Sequence, residues 1–306
     1  MCFFLNICME MSNYLLTVPL NQILERIICE QVFSGLANDN DPRCKDQVVQ
    51  RELSFIRGWQ LTFDVVPGLL TAMLYGLATK RYGRQFIMGL AVLGGFLAGT
   101  FVILICSFPA IFSPRLIWLS SAFAFIGGGA PVFNAMSFAL LSEAVHQSRR
   151  STVFFYLNAT NIGSQVVAGL VAFALMRISP WVCIYCGALF AATASLVAFL
   201  FPAEASISKF RSAANLEMPQ EEQTIRTLIN RLGDATIWLT HGNFLAIALL
   251  STLLVTTLGR SVPDILLQYV TKRYELSWSD VSTILLWWPI ASPDFDLDPS
   301  LSQPVY

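Results

Sequence analysis

Charge is scarce in this chain. Only 13% of its 306 residues are Asp, Glu, Lys or Arg, about half the share usual in a soluble domain. With 55% hydrophobic residues and a mean hydropathy of +0.59, such a chain solves its burial problem in lipid rather than in a water-excluding core. The formal net charge is −1 and no basic run is long enough to track a phosphate backbone, so nucleic acid is not an expected partner. Histidine is rarer still, with two copies. His146 falls in a polar turn and His241 at the edge of an apolar run, neither placed to activate a nucleophile such as Ser164, which makes an intramembrane enzyme a poor reading. A metal-ligand cluster and a phosphate-cradling glycine loop are both lacking, which leaves no metal or cofactor to expect and argues against an ATP-driven pump. Residues 1–9 have no positive flank and Glu10 interrupts their apolar run, so the start reads as a first membrane helix rather than a removed leader.

Long apolar runs are what the chain does have. A spanning helix needs about 20 mostly apolar residues, and segments 1–20, 58–78, 86–108, 115–141, 152–176, 181–202 and 241–260 qualify. A run at 281–290 begins an eighth span. Short connections make neighbouring spans antiparallel, and the fold class is all-α: a polytopic membrane helix bundle. Two polar stretches interrupt it, 21–57 and 203–240. Within the second, Ile225, Leu228, Ile229 and Leu232 recur at helical spacing, as in an amphipathic helix lying on a membrane surface. After Trp287-Trp288-Pro289 the chain turns acidic and proline-rich, with Asp294, Asp296 and Asp298. Nothing after 290 can span a bilayer, and the expectation is a truncated or mispredicted product.

Seven cysteines are present. Cys2, Cys8, Cys106, Cys183 and Cys186 lie in apolar segments, where cysteine behaves as a small hydrophobe. Cys183 and Cys186 have redox or zinc spacing but no second pair and no nearby histidine. Cys29 and Cys44 both fall in the polar segment 21–57, where a disulfide or two free thiols are the alternatives.

Ionisable groups inside spans cost about 2.5–3.5 kcal/mol each on insertion scales, so each invites a functional reading. Glu10 sits mid-span, with Asn13, Tyr14 and Thr17 following at helical spacing. It is either a cavity carboxylate that takes up a proton or binds a cationic solute, or a group near the headgroups of a shallow helix. Asp64, two turns into the second span, poses the same choice nearer the interface. Asn158, Asn161 and Gln165 place three amides on one face of the fifth span, either as a solute-binding stripe or as interhelical hydrogen bonding worth about 0.6 kcal/mol per bond. In the fourth span, Gly127-Gly128-Gly129-Ala130-Pro131 reads as a kink beside a cavity or as a close-packing surface, with Asn134 one turn on. Gly95 and Gly99 form a small-residue packing surface.

Residues 76–85, Gly-Leu-Ala-Thr-Lys-Arg-Tyr-Gly-Arg-Gln, form a basic, glycine-bracketed hinge between two apolar segments, and three cations in a tight turn must lie at a membrane face. The hinge resembles the loop between helices 2 and 3 of the major facilitator superfamily, Gly-x-x-x-Asp-Arg-x-Gly-Arg-Arg. Gly76, Arg81, Gly83 and Arg84 match, and Lys80 stands where the family has its acidic residue. Two further stretches, Phe55–Trp59 and Leu267–Arg273, look like those of filamentous-fungal facilitators. The resemblance extends over residues 10–288.

What this resemblance implies is a secondary transporter of a small solute working by alternating access, with a coupling proton as a second candidate partner. It implies a six-helix bundle over 1–202, a cytoplasmic linker over 203–240 and the start of a second bundle over 241–290; the polar tail over 291–306 has no counterpart in it. It also implies a cytoplasmic latch in which Glu143 pairs with Arg84. Ala124 stands where many members have an arginine linked with proton coupling. Lys and Arg divide almost evenly between the two faces, so orientation follows from the resemblance and not from the positive-inside rule. The expected location is a multi-pass protein of the plasma or vacuolar membrane. The alternative in another class is a truncated, non-transporting membrane protein or receptor-like remnant.

Overall fold

The computed structural model describes residues 1–33, 42–200, 251, 266–274 and 278. The linker 203–240 with its amphipathic pattern, most of the seventh span, the eighth and the tail after 290 lie outside the described residues. All the described residues except Ser251 and Leu266 belong to one compact unit. Its elements are α1 (Cys2–Phe33), α2 (Gln47–Tyr82), α3 (Arg84–Ser107), a 3₁₀ stretch (Pro114–Phe125), α4 (Gly129–Ala144), α5 (Arg150–Met176) and α6 (Pro180–Leu200). No strand occurs among the described residues. The all-helical membrane bundle expected from the sequence is what is found. Among the described residues, four stretches are long and apolar enough to cross a bilayer: Arg84–Ser107, Pro114–Ala144, Arg150–Met176 and Pro180–Leu200.

Helices α1 and α2 depart from the expected spans by being longer. The polar segment 21–57 is not mainly loop: α1 continues to Phe33 and α2 begins at Gln47. At 1.5 Å per residue they measure about 48 and 54 Å, against a hydrocarbon thickness of about 30 Å. Neither is among the four stretches apolar enough to cross by composition alone, and a helix of this length that does cross leaves part of itself outside the hydrocarbon. The α2 start is capped by Asp46, whose Oδ1 accepts the Gln47 N–H at 2.7 Å, and a one-turn 3₁₀ helix, Pro42–Lys45, precedes it. At its other end α2 stops at Gly83, whose φ of +84° a residue with a β-carbon adopts only with strain.

The buried side chains form two apolar layers. Leu5 and Cys8 of α1 pack with Ile87, Met88 and Val92 of α3, Val132 and Phe133 of α4, and Ala194 and Ala198 of α6. The other layer joins Leu15 and Leu24 of α1 to Leu53 of α2, Ile105 of α3, Ile117 of the 3₁₀ stretch, Ala168 and Ala172 of α5, and Ile184 of α6. The first layer lies toward the end that carries the 82–84 hinge, the second toward the end that carries the α1–α2 connection. Glu10 falls at the seam between them.

The fourth span is interrupted. Gly127, Gly128 and Gly129 all have positive φ, at 91°, 80° and 65°, so the 3₁₀ stretch and α4 are two pieces joined by a non-helical turn. The turn is wedged against α3: a β-carbon on Gly127 would lie 2.2 Å from the Ala91 nitrogen, and one on Gly94 would lie 2.2 Å from the Ile126 oxygen. The glycine run is thus a break that is also a close contact with α3.

Candidate functional site

Glu10 is half-buried on α1, and Gln165 of α5 donates to it, Nε2 to Oε2, at 3.2 Å. Two residues that the sequence separates by 155 positions thus meet between the apolar layers. A charged carboxylate at this depth is costly, and an amide donor offsets part of that cost while leaving acceptor capacity on the carboxylate. The remaining candidates are placed as follows. Asn161, one turn before Gln165, is half-buried, with its Oδ1 enclosed and without a hydrogen-bond donor among the described residues. Asn158, a further turn on, is exposed on the bundle surface. Asn134 is half-buried on α4, whose buried face (Val132, Phe133, Met136) packs in the layer shared with α3. Asn13 does not share the Glu10–Gln165 contact. It lines a small separate cavity of ≈ 40 Å³ with Met9, Gly95, Gly99 and Ala188.

Asp64 is tied down as well: Ser121 of the 3₁₀ stretch donates to its Oδ1 at 2.5 Å. Beside it runs a shallow groove of ≈ 420 Å³, walled by Phe63, Val66, Pro67, Trp118 and Phe125. Its aromatic rings continue into a cluster in which Trp59 stacks on Phe63 at 5.4 Å and Phe63 lies 6.0 Å from Trp118.

The polar groups freed by the break in the fourth span are met by Tyr75 of α2. Its hydroxyl donates to the Phe125 carbonyl at 2.7 Å and accepts the Gly127 N–H at 2.8 Å. This phenol replaces part of the lost helical ladder, which a bilayer leaves no water to replace. Sequence reasoning passed over Tyr75, although a hydroxyl immediately before the hinge was the available signal.

At the hinge, Gly83 donates its N–H to the Thr79 carbonyl at 3.0 Å. Arg84 opens α3 and reaches Glu143 at the end of α4, Nη1 to Oε1, at 2.6 Å. It also donates to the Ala139 carbonyl at 3.1 Å. Gly76 lies inside α2, with open space where a β-carbon would stand. Arg81 is in the last turn of the same helix. Both Arg84 and Glu143 are substantially exposed, so the pair contributes little stability, of the order of 0–1 kcal/mol.

At the opposite end, Cys29 and Cys44 are joined in a disulfide with their Cα atoms 5.1 Å apart. The other five cysteines are free and lie in helices. Among the described residues no group of three or more His, Cys, Asp or Glu is arranged to hold a metal ion.

The model of the Major Facilitator Superfamily matches residues 3–292. Among curated proteins, the chain is 26% identical over 293 residues to "Efflux pump ustT" of Aspergillus flavus, covering 90% of this chain and 56% of that protein. It is 26% identical over 306 residues to "MFS efflux pump atnC" of Emericella nidulans, covering 94% of this chain and 57% of the relative. A transporter of Stachybotrys chartarum is 33% identical over 179 residues, 57% of this chain and 37% of the relative. The chain therefore spans little more than half the length of the first two of these relatives. No solved structure matches it. A helical bundle with the 76–85 hinge at one end and a match running over nearly the whole chain agree: this protein belongs to the major facilitator superfamily.

Proposed function

We propose that the chain is the solute-binding half, with the beginning of its partner half, of a secondary transporter that moves a small organic solute by alternating access. The observation that carries the proposal is the Glu10–Gln165 hydrogen bond between α1 and α5. An ionisable group and an amide stripe at the seam of an apolar bundle are costly to keep unless they serve a pathway. Glu10, Gln165 and Asn161 contact the solute, Asn134 and Asn158 extend the polar path toward the hinge end, and Asn13 lines a neighbouring cavity. The names of two relatives, both efflux pumps, support export as the direction.

The domain division follows the same reading: residues 1–202 are one bundle, 203–240 a cytoplasmic linker and 241–290 the start of a second bundle. The hinge residues Gly76, Arg81, Gly83 and Arg84, with Glu143, act as the cytoplasmic latch of one conformation. The membrane is the plasma or the vacuolar membrane, which a fluorescent fusion distinguishes.

The test is export of a cationic lipophilic dye, rhodamine, from yeast cells expressing the chain. Asn161→Leu combined with Gln165→Leu should raise dye accumulation to that of cells without the protein, at unchanged membrane levels. Accumulation equal to that with the unaltered chain would sink the stripe as a solute contact.

A further inference from the structure

The ends of α1 and α2 that outlast the hydrocarbon hold a polar cluster that the solute pathway does not use. Glu25 lies fifteen residues past Glu10 on α1, about 22 Å further along the helix axis, and is only 4% exposed. Three side chains from three places converge on its carboxylate. Lys45, in the turn before α2, lies 2.9 Å from Oε1. Gln50 of α2 donates to Oε1 at 2.5 Å and to the Cys44 carbonyl at 3.1 Å. The third donor is the indole N–H of Trp278, which bonds Oε2. Lys45 Nζ also stands 5.1 Å above the Trp278 ring. Nearby, Ser54 of α2 donates to Gln268 at 2.7 Å, and Leu267 and Thr271 are buried against the same end of the bundle.

Trp278 is 253 positions from Glu25, beyond the linker, whereas among the described residues the other donors to Glu25 (Lys45 and Gln50) come from α2 and the turn before it. A buried carboxylate stripped of a donor is strongly penalised, so Gln268 and Trp278 are held to the α1–α2 end by more than apolar contact. The disulfide Cys29–Cys44 fixes the two sides of this cluster. Cys29 lies one turn beyond Glu25 on α1, and Cys44 immediately precedes Lys45 and supplies the carbonyl that orients Gln50.

We infer that Glu25, Lys45, Gln50 and Trp278 form a clasp between the first bundle and the segment after the seventh span, at the end opposite the Arg84–Glu143 hinge. The disulfide pre-positions the clasp, so its closure depends on the redox state of Cys29 and Cys44. The inference rests on the alternating-access reading, because a clasp between two halves matters only if they separate. Its test reads the clasp itself rather than transport.

Ser54→Cys and Gln268→Cys are introduced together, with a specific protease site inserted in 203–240, and the chain is oxidised in isolated membranes. After proteolysis, only cross-linked molecules keep their two fragments joined on a non-reducing gel, and the native disulfide, lying within one fragment, does not interfere. Cross-linking should be fast in this background and in Arg26→Gln, which breaks the neighbouring surface pair with Glu30 and leaves all four clasp residues in place. Glu25→Gln and Trp278→Phe should each slow it about tenfold, as expected for losing one hydrogen bond to a charged group, and the double change Cys29→Ser with Cys44→Ser, which frees the Lys45 side of the cluster, should slow it as well. Trp278→Phe, outside the six described helices, keeps the test decisive if Glu25→Gln fails to accumulate. Absence of cross-linking in the background, or equal rates in Glu25→Gln and Trp278→Phe, overturns the clasp. An equal rate in the cysteine-free variant alone overturns its redox dependence. A normal clasp without dye export would instead count against the transport reading.

Discussion

Tyr75 has one hydroxyl and two tasks, donating to one side of the break in the fourth span and accepting from the other. Phenylalanine keeps the ring and removes both bonds. At about 0.6 kcal/mol for an average interhelical hydrogen bond in a membrane, Tyr75→Phe should cost roughly 1 kcal/mol in reversible unfolding by detergent titration. A loss indistinguishable from zero would mean that the freed backbone groups find other partners. Gln165 poses a different problem, since Gln165→Leu leaves Glu10 with a different set of partners. The effect expected there is on transport, because the contact lies at the seam between the two apolar layers and not within either of them.

At the scale of single elements, the fourth span decides most. Gly127→Ala would put a methyl group into the α3 backbone, 2.2 Å from the Ala91 nitrogen, at a φ of +91°. Neither the backbone of α3 nor the turn can yield cheaply. Gly163 on α5 has open space around it, and alanine is the better helix former by about 1 kcal/mol. Fluorescence-detected gel filtration should therefore show Gly127→Ala aggregated or absent and Gly163→Ala unchanged. If Gly127→Ala elutes normally, the break is not held in the form described.

The same element marks how far the sequence could be read. Apolar runs of sufficient length announced the helices, because lipid requires each span to satisfy its own backbone. The Gly-Gly-Gly-Ala-Pro run announced a disturbance in span four but not a break, since positive φ at three glycines is set by what α2 and α3 press against them. The ends of α1 and α2 were harder. Hydropathy stops counting at the interface, yet Ile23, Leu24, Ile27 and Ile28 continue the helical spacing of α1 past residue 20. Glu25 was legible only as one charge in a polar stretch. Its donors are far away in sequence, which no local pattern records. Of the candidate site, the link between Glu10 and Gln165 was equally out of reach, although each residue had been picked out for its own depth in a span.

For the molecule as a whole, the two apolar layers and the seam between them define an axis, with the hinge at one end and the disulfide at the other. The Arg84–Glu143 pair is too exposed to matter much for stability, so Glu143→Gln should shift unfolding by no more than about 1 kcal/mol. Its effect should appear in conformation. Trypsin cleavage after Arg84 in inside-out vesicles should be faster in Glu143→Gln than in the unaltered chain, and the difference should shrink at high salt as screening weakens the pair. Equal rates would leave the pair without a latching role.

The bond between Cys29 and Cys44 has a consequence for how the protein is made. Positive charge is too evenly spread over this sequence to direct which way it enters the bilayer, yet thiols pair durably only outside the reducing cytosol. A chain inserted upside down would keep both sulfurs reduced and its first connection untied. Oxidation of that one pair is thus a covalent record of correct insertion, written early in synthesis and readable on a gel as a shift on alkylation.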